Sequence, residues 1–441
     1  MTQQSNSNLR VGMIFMAMIF FIFGFITNFN IALKDQVQAT FDLSSAMAQL
    51  VNGVFFFSYF CFSLICGSII KKIGYKSGII AGLLLVSIGS YLFYPAVAVP
   101  SYPLFLGAVF IMATGVVFLQ TAANPYVAAL GPHETASARL NLTQALNGVA
   151  TTIAPFIVGS LVLTPAAIAM GPTAVQTPFL VIGTVVALIA FGIFFIKLPE
   201  IKGEEIKGKK SIWKYPHVLL GALAIFAYVG AEVGCAAQIV PYLKDTYTVG
   251  DAAKLAAMYW GGAMVGRFYG SILLSGIDNS KKYLYSSFVV IFAFVVGWLI
   301  TGFDVTKAAI FFGIAILNFL GMQLGKGNAS RALAIFGVIA LSLVSISFAA
   351  EVSIGMWTLI SIGFFNSIMF PNIFALAVKD LDAKEMPMAS GIINTLIVGG
   401  AVIPVLMGVV TDSSSVRTAL LIPIFCYAYI TFFALKGSKI R

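Results

Sequence analysis

Residues 175–243 decide the fold, because they place a charged segment between two long apolar ones. The first apolar run reads VQTPFLVIGTVVALIAFGIFFI (175–196), and the second reads HVLLGALAIFAYVGAEVGCAAQIVPYL (217–243). Between them, residues 198–214 hold five lysines and three glutamates. Each apolar run is long enough to cross a bilayer as an α-helix, which takes roughly 20 residues. We therefore predict two sets of membrane-spanning helices joined by a polar linker.

The whole chain has the composition of a membrane protein. Of its 441 residues, 60% are hydrophobic and 10% are charged, whereas a soluble domain carries about 25% charged residues. The net charge of +10 comes mostly from short loops, as in the cytoplasmic loops of membrane proteins, so we expect no nucleic-acid partner. The four cysteines lie in apolar runs without disulfide or metal spacing, and we expect no cofactor. The predicted fold class is all-α membrane protein.

Fourteen segments are predicted to span the membrane. They lie at about 11–33, 46–70, 76–97, 102–130, 136–165, 175–197, 216–243, 252–276, 282–302, 306–324, 331–350, 354–379, 387–411 and 415–436. When the N-terminus is placed inside, most lysines and arginines fall in inside loops. Both termini are therefore predicted to be cytoplasmic.

Short internal matches indicate two related halves. Gly67-Ser-Ile-Ile resembles Gly270-Ser-Ile-Leu at an offset of 203 residues, and Pro155-x3-Gly159 matches Pro404-x3-Gly408 at an offset of 249. The offset rises by 46 residues, the length of about two helices of roughly 20 residues each.

The repeat predicts a transporter of two six-helix bundles plus a two-helix insertion, because repeated bundles are typical of transporters. The expected domains are an N-terminal bundle (1–200), a cytoplasmic linker (201–215) and a C-terminal bundle (216–441). The inserted pair is placed at about 281–325.

Glu232 is the first functional candidate, because an ionisable group at the centre of a span costs about 2.5–3.5 kcal/mol to insert. It sits mid-span between Gly230 and Gly234. We predict that it binds substrate or a cation, or carries a proton; the alternative is a carboxylate that only ties two helices together. We interpret Arg267, in the inner half of the eighth span, as a structural or gating charge near the cytoplasmic face. Asp35, beside Lys34, is interpreted as an interfacial pair, a gate or an ion contact.

Amide side chains form the second set of candidates. Amides both donate and accept hydrogen bonds, which suits sugar hydroxyls, although they also join helices to one another. Gln144 and Asn147 share one helix face and are predicted to contact a polar ligand. The other predicted ligand contacts are Gln49, Asn52, Gln120, Asn124, Asn366 and Asn394.

Several motifs carry a resemblance to a known family. Gln120-Thr-Ala-Ala-Asn-Pro-Tyr126, Arg139-Leu-Asn-Leu-Thr-Gln-Ala-Leu-Asn147 and Tyr228-Val-Gly-Ala-Glu-Val233 resemble the fucose–galactose–glucose:cation symporters of the major facilitator superfamily. The segment Gly67-x3-Lys71-x2-Gly74-x-Lys76 also has the form of that superfamily's cytoplasmic signature, with lysine in place of its acidic residue.

The resemblance implies import of a glucose/galactose-like or fucose-like hexose, driven by a cation gradient, across a bacterial inner membrane. Fucose permeases carry an aspartate in the first span, where this chain has Ile31 after Asn30, and a glutamate where it has Gln120. Both carboxylates implicated in proton coupling are absent, which favours Na⁺ over H⁺. We therefore expect a possible Na⁺ site near Glu232 and Gln120, because hard cations prefer oxygen ligands.

Other functions stay open at this point. A proton-coupled symporter using Glu232 and an uncoupled facilitator would have the same fold, and so would an exporter. A membrane-embedded enzyme is disfavoured, because the short loops lack clusters of aspartate, glutamate and histidine. We expect a monomer, although the sequence does not determine the oligomeric state, the sugar or the coupling ion.

Overall fold

The protein is entirely helical wherever the computed structural model describes it. The structure describes residues 6–32, 37, 41, 43, 45–161, 173–196, 198–199, 212–382 and 384–440. Over these residues it contains α-helices, short 3₁₀ segments and turns, and no β-strand. The predicted all-α class is confirmed.

Seventeen α-helices follow one another along the described residues. They are α1 (Asn6–Ala32), α2 (Ser45–Ile73), α3 (Tyr75–Ala98), α4 (Tyr102–Ala129), α5 (Ala136–Leu161), α6 (Thr173–Phe195), α7 (Pro216–Leu243), α8 (Val249–Leu273), α9 (Asn279–Ile300), α10 (Val305–Leu324), α11 (Ala329–Ala349), α12 (Val352–Asn366), α13 (Met369–Ala377), α14 (Met386–Thr395), α15 (Gly399–Ser413), α16 (Val416–Ala419) and α17 (Leu421–Leu435).

These helices make fourteen segments of membrane-spanning length. Within the described ranges, twelve are long and apolar enough to cross a bilayer, with α12–α13, α14–α15 and α16–α17 each forming one span. The other two are α5 and α8, which have 26 and 25 residues. They are less apolar because α5 carries the amide series and α8 carries Arg267 among glycines and tyrosines. The predicted count of fourteen agrees with this arrangement.

The chain divides into two compact units. The first unit comprises the described residues within Met1–Leu130, Val149–Lys207 and Leu381–Thr395, and the second comprises those within Gly131–Gly148, Gly208–Asp380 and Leu396–Arg441. The helix α5 begins in the second unit and ends in the first, whereas α14 belongs to the first and α15 to the second. The bundle boundaries expected at 1–200 and 216–441 stay a prediction.

The two units repeat one packing pattern. In the first unit α4 packs against α2 and α3, and α3 also packs against α6. In the second unit α12 packs against α8 and α11, and α11 also packs against α17. The helices α9 and α10 have no counterpart in this pattern: they pack against each other and against α8, and α10 also contacts α11 and α12. They span the segment predicted to be an insertion.

The inserted pair is joined by a short charged loop. Asp304 precedes α10, and its carboxylate accepts hydrogen bonds from the backbone N–H and the ammonium group of Lys307, at 3.0 and 2.7 Å. These donors hold the pKa of Asp304 below its ordinary value, because they stabilise the ionised carboxylate. The loop is therefore closed by an ion pair and a helix cap together.

Two spans of the second half are discontinuous. The span at 352–377 is broken at Ser367 and Ile368, between α12 and α13, and the next span passes through a 3₁₀ segment at Leu396–Val398. Broken spans release backbone carbonyl groups at membrane depth, which is tolerated only where other groups or a cavity satisfy them. These breaks therefore mark where polar partners are needed.

Candidate functional site

Glu232 is the centre of a buried polar network in the second unit. It lies on α7 with 7% of its surface exposed. Tyr228, one turn earlier, donates a hydrogen bond from its hydroxyl to Oε1 of Glu232 at 2.6 Å. Within the described part of the chain no group engages the second carboxylate oxygen, Oε2. One oxygen of Glu232 is thus fixed by the protein and the other is open to a ligand.

Arg267 of α8 supplies the opposite charge. Its Nη2 lies 3.5 Å from Oε1 of Glu232, and both side chains are about nine-tenths buried. Its Nε donates to the backbone oxygen of Ser367 at 3.4 Å, which is the break between α12 and α13. The guanidinium group therefore links the carboxylate of α7 to the interrupted span. The sequence-based interpretation of Arg267 as a structural or gating charge did not include this pairing.

Asn366 extends the network to the last residue of α12. Its Nδ2 donates to the hydroxyl of Tyr259 at 2.6 Å, and that hydroxyl donates to the backbone oxygen of Glu232 at 2.9 Å. Oδ1 of Asn366 is buried and has no hydrogen-bond partner in the described part of the chain. Asn366 and Glu232, predicted separately, are thus brought together through Tyr259.

The first half of α5 runs along α8 in the same unit. A Cβ atom at Gly270 would meet the side chain of Asn141, and one at Gly148 would meet Met264. Because Gln144 and Arg267 lie midway between these contacts on their own helices, they sit at the same level of the crossing. Gln144 has 7% of its surface exposed, and no described group bonds to its amide. Its hydrogen-bonding groups are therefore not engaged by the described residues, at the level of Arg267 along the crossing.

A second set of predicted residues lies in the first unit. Asn124 of α4 is fully buried, and neither its Oδ1 nor its Nδ2 has a partner among the described residues. Oε1 of Gln120, one turn earlier, is also unpaired. Asn394, at the end of α14, donates from Nδ2 to the hydroxyl of Thr121 at 3.2 Å, and its Oδ1 is unpaired. The structure therefore gathers these three amides around α4.

The remaining predicted residues contribute less to either network. Asp35 and the side chain of Gln49 lie outside the described residues. Asn52 is half-buried and Asn147 is buried, and each has a polar or ring partner within the protein. Asn147 shares the helix face of Gln144. Their roles as ligand contacts stay predictions.

The sequence did not identify Tyr228 and Tyr259, although both are structural members of the network. Tyrosines are common in spans as packing residues, so residue type alone gives no signal. The usable signal is spacing: Tyr228 is four residues before Glu232, on the same helix face. A tyrosine at that distance from a buried carboxylate is placed to donate to it.

The lysine of the cytoplasmic signature also has a partner. Nζ of Lys71, at the end of α2, donates to Oε1 of Glu385 at 2.6 Å, just before α14 begins. Both residues belong to the first unit. A lysine can therefore occupy the position of an acidic residue here because the facing residue is a glutamate.

The networks do not resemble a transition-metal centre. Among the described residues no group of three or more histidine, cysteine, aspartate or glutamate side chains could hold a metal ion. The predicted Na⁺ ligands Glu232 and Gln120 belong to different units. Arg267 already balances the charge of Glu232, so the pair offers no net negative charge to an added cation.

Comparison with known proteins identifies the family. Residues 14–330 match the model of the Major Facilitator Superfamily. The chain is 37% identical to a glucose/galactose transporter of Brucella abortus, covering 99% of this chain and 96% of that protein. It is 32% identical to the L-fucose-proton symporter of Escherichia coli, covering 96% and 92%.

Solved structures agree with the sequence comparison. The crystal structure of the transporter FucP in the outward conformation matches with a TM-score of 0.77 and 29% identity, covering 97% of this chain and 98% of that one. A second crystal structure, of the E. coli fucose:proton symporter, matches with a TM-score of 0.75 and 28% identity. The chain therefore belongs to the major facilitator superfamily, in the family of the glucose/galactose transporters and fucose–proton symporters.

Proposed function

We propose that the protein imports a glucose/galactose-like or fucose-like hexose by cation symport, with Na⁺ favoured over H⁺. It would do so as a monomer in a bacterial inner membrane, with both termini cytoplasmic. One observation carries the proposal: among the described residues one carboxylate oxygen of Glu232 and the amide of Gln144 have no partner, and Gln144 is level with Arg267 where α5 crosses α8. The names of the relatives support a hexose as the substrate class.

The chemistry of this network suits a sugar. A hydroxyl group both donates and accepts, so it pairs with an acceptor-only carboxylate oxygen and with an amide that does both. Oε2 of Glu232 would accept from one hydroxyl, and the amide of Gln144 would bond a neighbouring one. Polar groups of this kind fix the orientation of a ligand and provide specificity. Gln144 and Glu232 are therefore the proposed sugar contacts.

The choice of coupling ion rests on side chains that are absent. The carboxylates implicated in proton coupling of fucose permeases correspond to Ile31 and Gln120, which cannot titrate. Glu232 is the buried acidic side chain of the described residues that a proton-coupled mechanism would use, and protonating Glu232 would leave Arg267 without its partner. Unpairing a buried charge is costly, so Na⁺ remains the favoured ion.

Uptake into membrane vesicles tests the proposal. Labelled glucose, galactose and fucose are offered under an imposed Na⁺ gradient, an imposed pH gradient or neither. We expect concentrative uptake of at least one hexose with the Na⁺ gradient alone, and loss of that uptake in Glu232→Gln. Gln176→Ala, at a buried amide that donates to the backbone of Tyr94, is the matched control and should behave as wild type.

Each contrary result has a distinct meaning. Uptake that follows only the pH gradient would replace Na⁺ by H⁺. Counterflow without accumulation would indicate a facilitator. Full coupled uptake by Glu232→Gln would remove the carboxylate from the mechanism, and failure to transport any hexose would overturn the substrate class.

A further inference from the structure

Unpaired buried polar atoms are concentrated in one part of the first unit. Thirteen buried side-chain nitrogen and oxygen atoms in the described residues have no hydrogen-bond partner, and six of them belong to α2, α4 and α14. The six are Oγ of Ser63, Oε1 of Gln120, Oδ1 and Nδ2 of Asn124, Oγ of Ser390 and Oδ1 of Asn394. Buried polar groups are normally paired, so an unpaired set needs an explanation such as a bound ion or water.

The directions of the three helices bring these atoms together. Contacts of Tyr102 with Met47 and of Ser58 with Phe110 show that α2 and α4 run parallel. A Cβ of Gly67 would meet Gly391. Lys71, one turn after Gly67, pairs with Glu385, which comes before Gly391 in the chain, so α14 runs antiparallel to α2. It therefore also runs antiparallel to α4.

One hydrogen bond fixes the register of α14 on α4. Nδ2 of Asn394 donates to Oγ1 of Thr121 at 3.2 Å. One turn onward along α4 is Asn124, and one turn back along α14 is Ser390. A Cβ at Gly391 would meet the backbone oxygen of Ser63, which adds the hydroxyl of Ser63 to the same level. The unpaired atoms of Ser63, Asn124, Ser390 and Asn394 thus lie at neighbouring levels of the three helices, and Gln120 lies one turn before Asn124 on the same side of α4. We name this set the α4–α14 oxygen cluster.

The composition of the cluster points to a cation. Five of its six unpaired atoms are oxygens, and three of these are amide oxygens, which only accept hydrogen bonds. Hard cations take oxygen ligands from amides, hydroxyls and backbone carbonyls. The ligating residues are all neutral, which disfavours a divalent ion, because burying two positive charges without a carboxylate is expensive. A monovalent hard cation fits this set.

We propose that the α4–α14 oxygen cluster binds Na⁺, with Gln120, Asn124 and Asn394 supplying the amide oxygens. This inference rests on the proposed function in one respect, the assignment of Na⁺ as the coupling ion. It separates the two sites: the cation binds in the first unit, and Glu232 with Arg267 serves the sugar. The protein should therefore bind Na⁺ in the absence of sugar, and it should still do so when the carboxylate of Glu232 has been replaced.

Binding of ²²Na⁺ to the purified full-length protein, without sugar and in a choline background, tests the inference. Asn124→Leu and Asn394→Leu are each expected to weaken Na⁺ binding about tenfold or more, because each removes an oxygen ligand from a charged group. Glu232→Gln and the control Gln176→Ala should bind Na⁺ as wild type does. Thermal unfolding with Na⁺ or choline gives a second readout, because a ligand that binds only the folded state stabilises it.

The outcomes separate this site from its alternatives. Unchanged Na⁺ binding in both leucine variants, or loss of binding in Glu232→Gln alone, would overturn the proposal. Wild-type protein that binds no ²²Na⁺ and gains no stability from Na⁺ would mean that only water fills the cluster. If the leucine variants fail to fold, Gln120→Asn, which withdraws one oxygen by a methylene, should weaken Na⁺ binding. Na⁺ binding by a protein that transports no hexose would contradict the proposed function but support this site.

Discussion

Glu232 and Arg267 stabilise each other as ions, because both are about nine-tenths buried and lie 3.5 Å apart. Removing one partner of such a pair leaves an uncompensated buried charge and costs about 3–5 kcal/mol. We expect Arg267→Met to lower the free energy of unfolding by about that amount. The neutral double variant Glu232→Gln/Arg267→Met should recover most of the loss and still fail in uptake. Denaturation and uptake assays on the same preparations measure both effects; a single variant as stable as wild type would refute the pairing.

Gln120 allows a separate prediction, because it stands where fucose permeases carry glutamate. In Gln120→Glu the new carboxyl joins the unpaired oxygens around Asn124. Above its pKa the carboxylate adds negative charge and strengthens Na⁺ binding, and below its pKa the neutral acid resembles glutamine.

The apparent Na⁺ affinity of Gln120→Glu should therefore be higher at about pH 8.5 than at about pH 5.5, because a carboxyl group carries its negative charge at the higher pH. The wild-type affinity should change little over the same range. Measurements of ²²Na⁺ binding at several pH values make the comparison. An equally steep rise in both proteins would show that another group titrates.

Single residues could be predicted where burying their polar groups in a span costs free energy, but their partners could not be predicted. Glu232, Gln144 and Asn366 stand out because polar groups are rare inside spans. The sequence predicted that Arg267 lies near the cytoplasmic face. The position of a residue along one helix, however, does not show which other helix faces it. The contact of Arg267 with Glu232 depends on the packing of α7 against α8. Sequence spacing describes neighbours on one helix only.

At the scale of helices, glycines set how closely α8 approaches α12. Gly262, Gly266 and Gly270 recur every four residues, so they share a face of α8. A Cβ at Gly266 would meet the side chain of Ser367 and the backbone oxygen of Phe364, at the break where Arg267 donates to Ser367. The close approach therefore brings the guanidinium group to the backbone it bonds.

Gly266→Ala should destabilise the protein by about 1–3 kcal/mol, the usual cost of overpacking. Gly313→Ala on α10 is the matched control, since a Cβ there meets nothing within 4 Å. Alanine is a better helix former than glycine, so the control should be stabilised by about 0.5–1 kcal/mol. Thermal unfolding of the two variants gives the difference; equal stability would mean that the α8–α12 contact tolerates a methyl group.

The repeat in the sequence predicted two related halves and an inserted helix pair, but it did not predict where helices break. Gly67 and Gly270, matched at the offset of 203, each allow a close crossing by another helix, α14 for Gly67 and α5 for Gly270. Small residues at such crossings are common in membrane proteins. The break at Ser367 has its own signal, because Pro371, four residues later inside α13, has no N–H to bond the carbonyl of Ser367. The interruption follows from the hydrogen bonds of the released carbonyls, which depend on Asn318 and Arg267.

At the scale of the whole molecule, we expect that the inserted pair of helices can be deleted as a unit. The helix α8 ends at Leu273 and α11 begins at Ala329, and the backbone oxygen of Leu273 lies 3.9 Å from where a Cβ of Gly327 would be. The two ends of the insertion are therefore adjacent. A short loop could join them without moving α8 or α11.

Removing both helices preserves the direction of every later span, because two crossings return the chain to the same side. We expect a variant lacking residues 275–326 to have its C-terminus on the same side of the membrane as the full-length protein, as a C-terminal reporter fusion would show. It should be less stable, because Phe311 and Asn318 of α10 no longer contact Phe364. Hexose uptake should persist at a reduced level, since the Glu232–Arg267 network contains no residue of α9 or α10.

Deleting α9 alone is the decisive control. With residues 279–302 removed, one crossing is lost, and α10 and every later span would have to cross the membrane in the opposite direction. The positively charged loops that follow would then face outward, against the preference for basic residues inside. This variant should lose uptake and be degraded or misoriented. Uptake retained by the single-helix deletion but lost by the deletion of the pair would contradict both the topology and the modular character of the insertion.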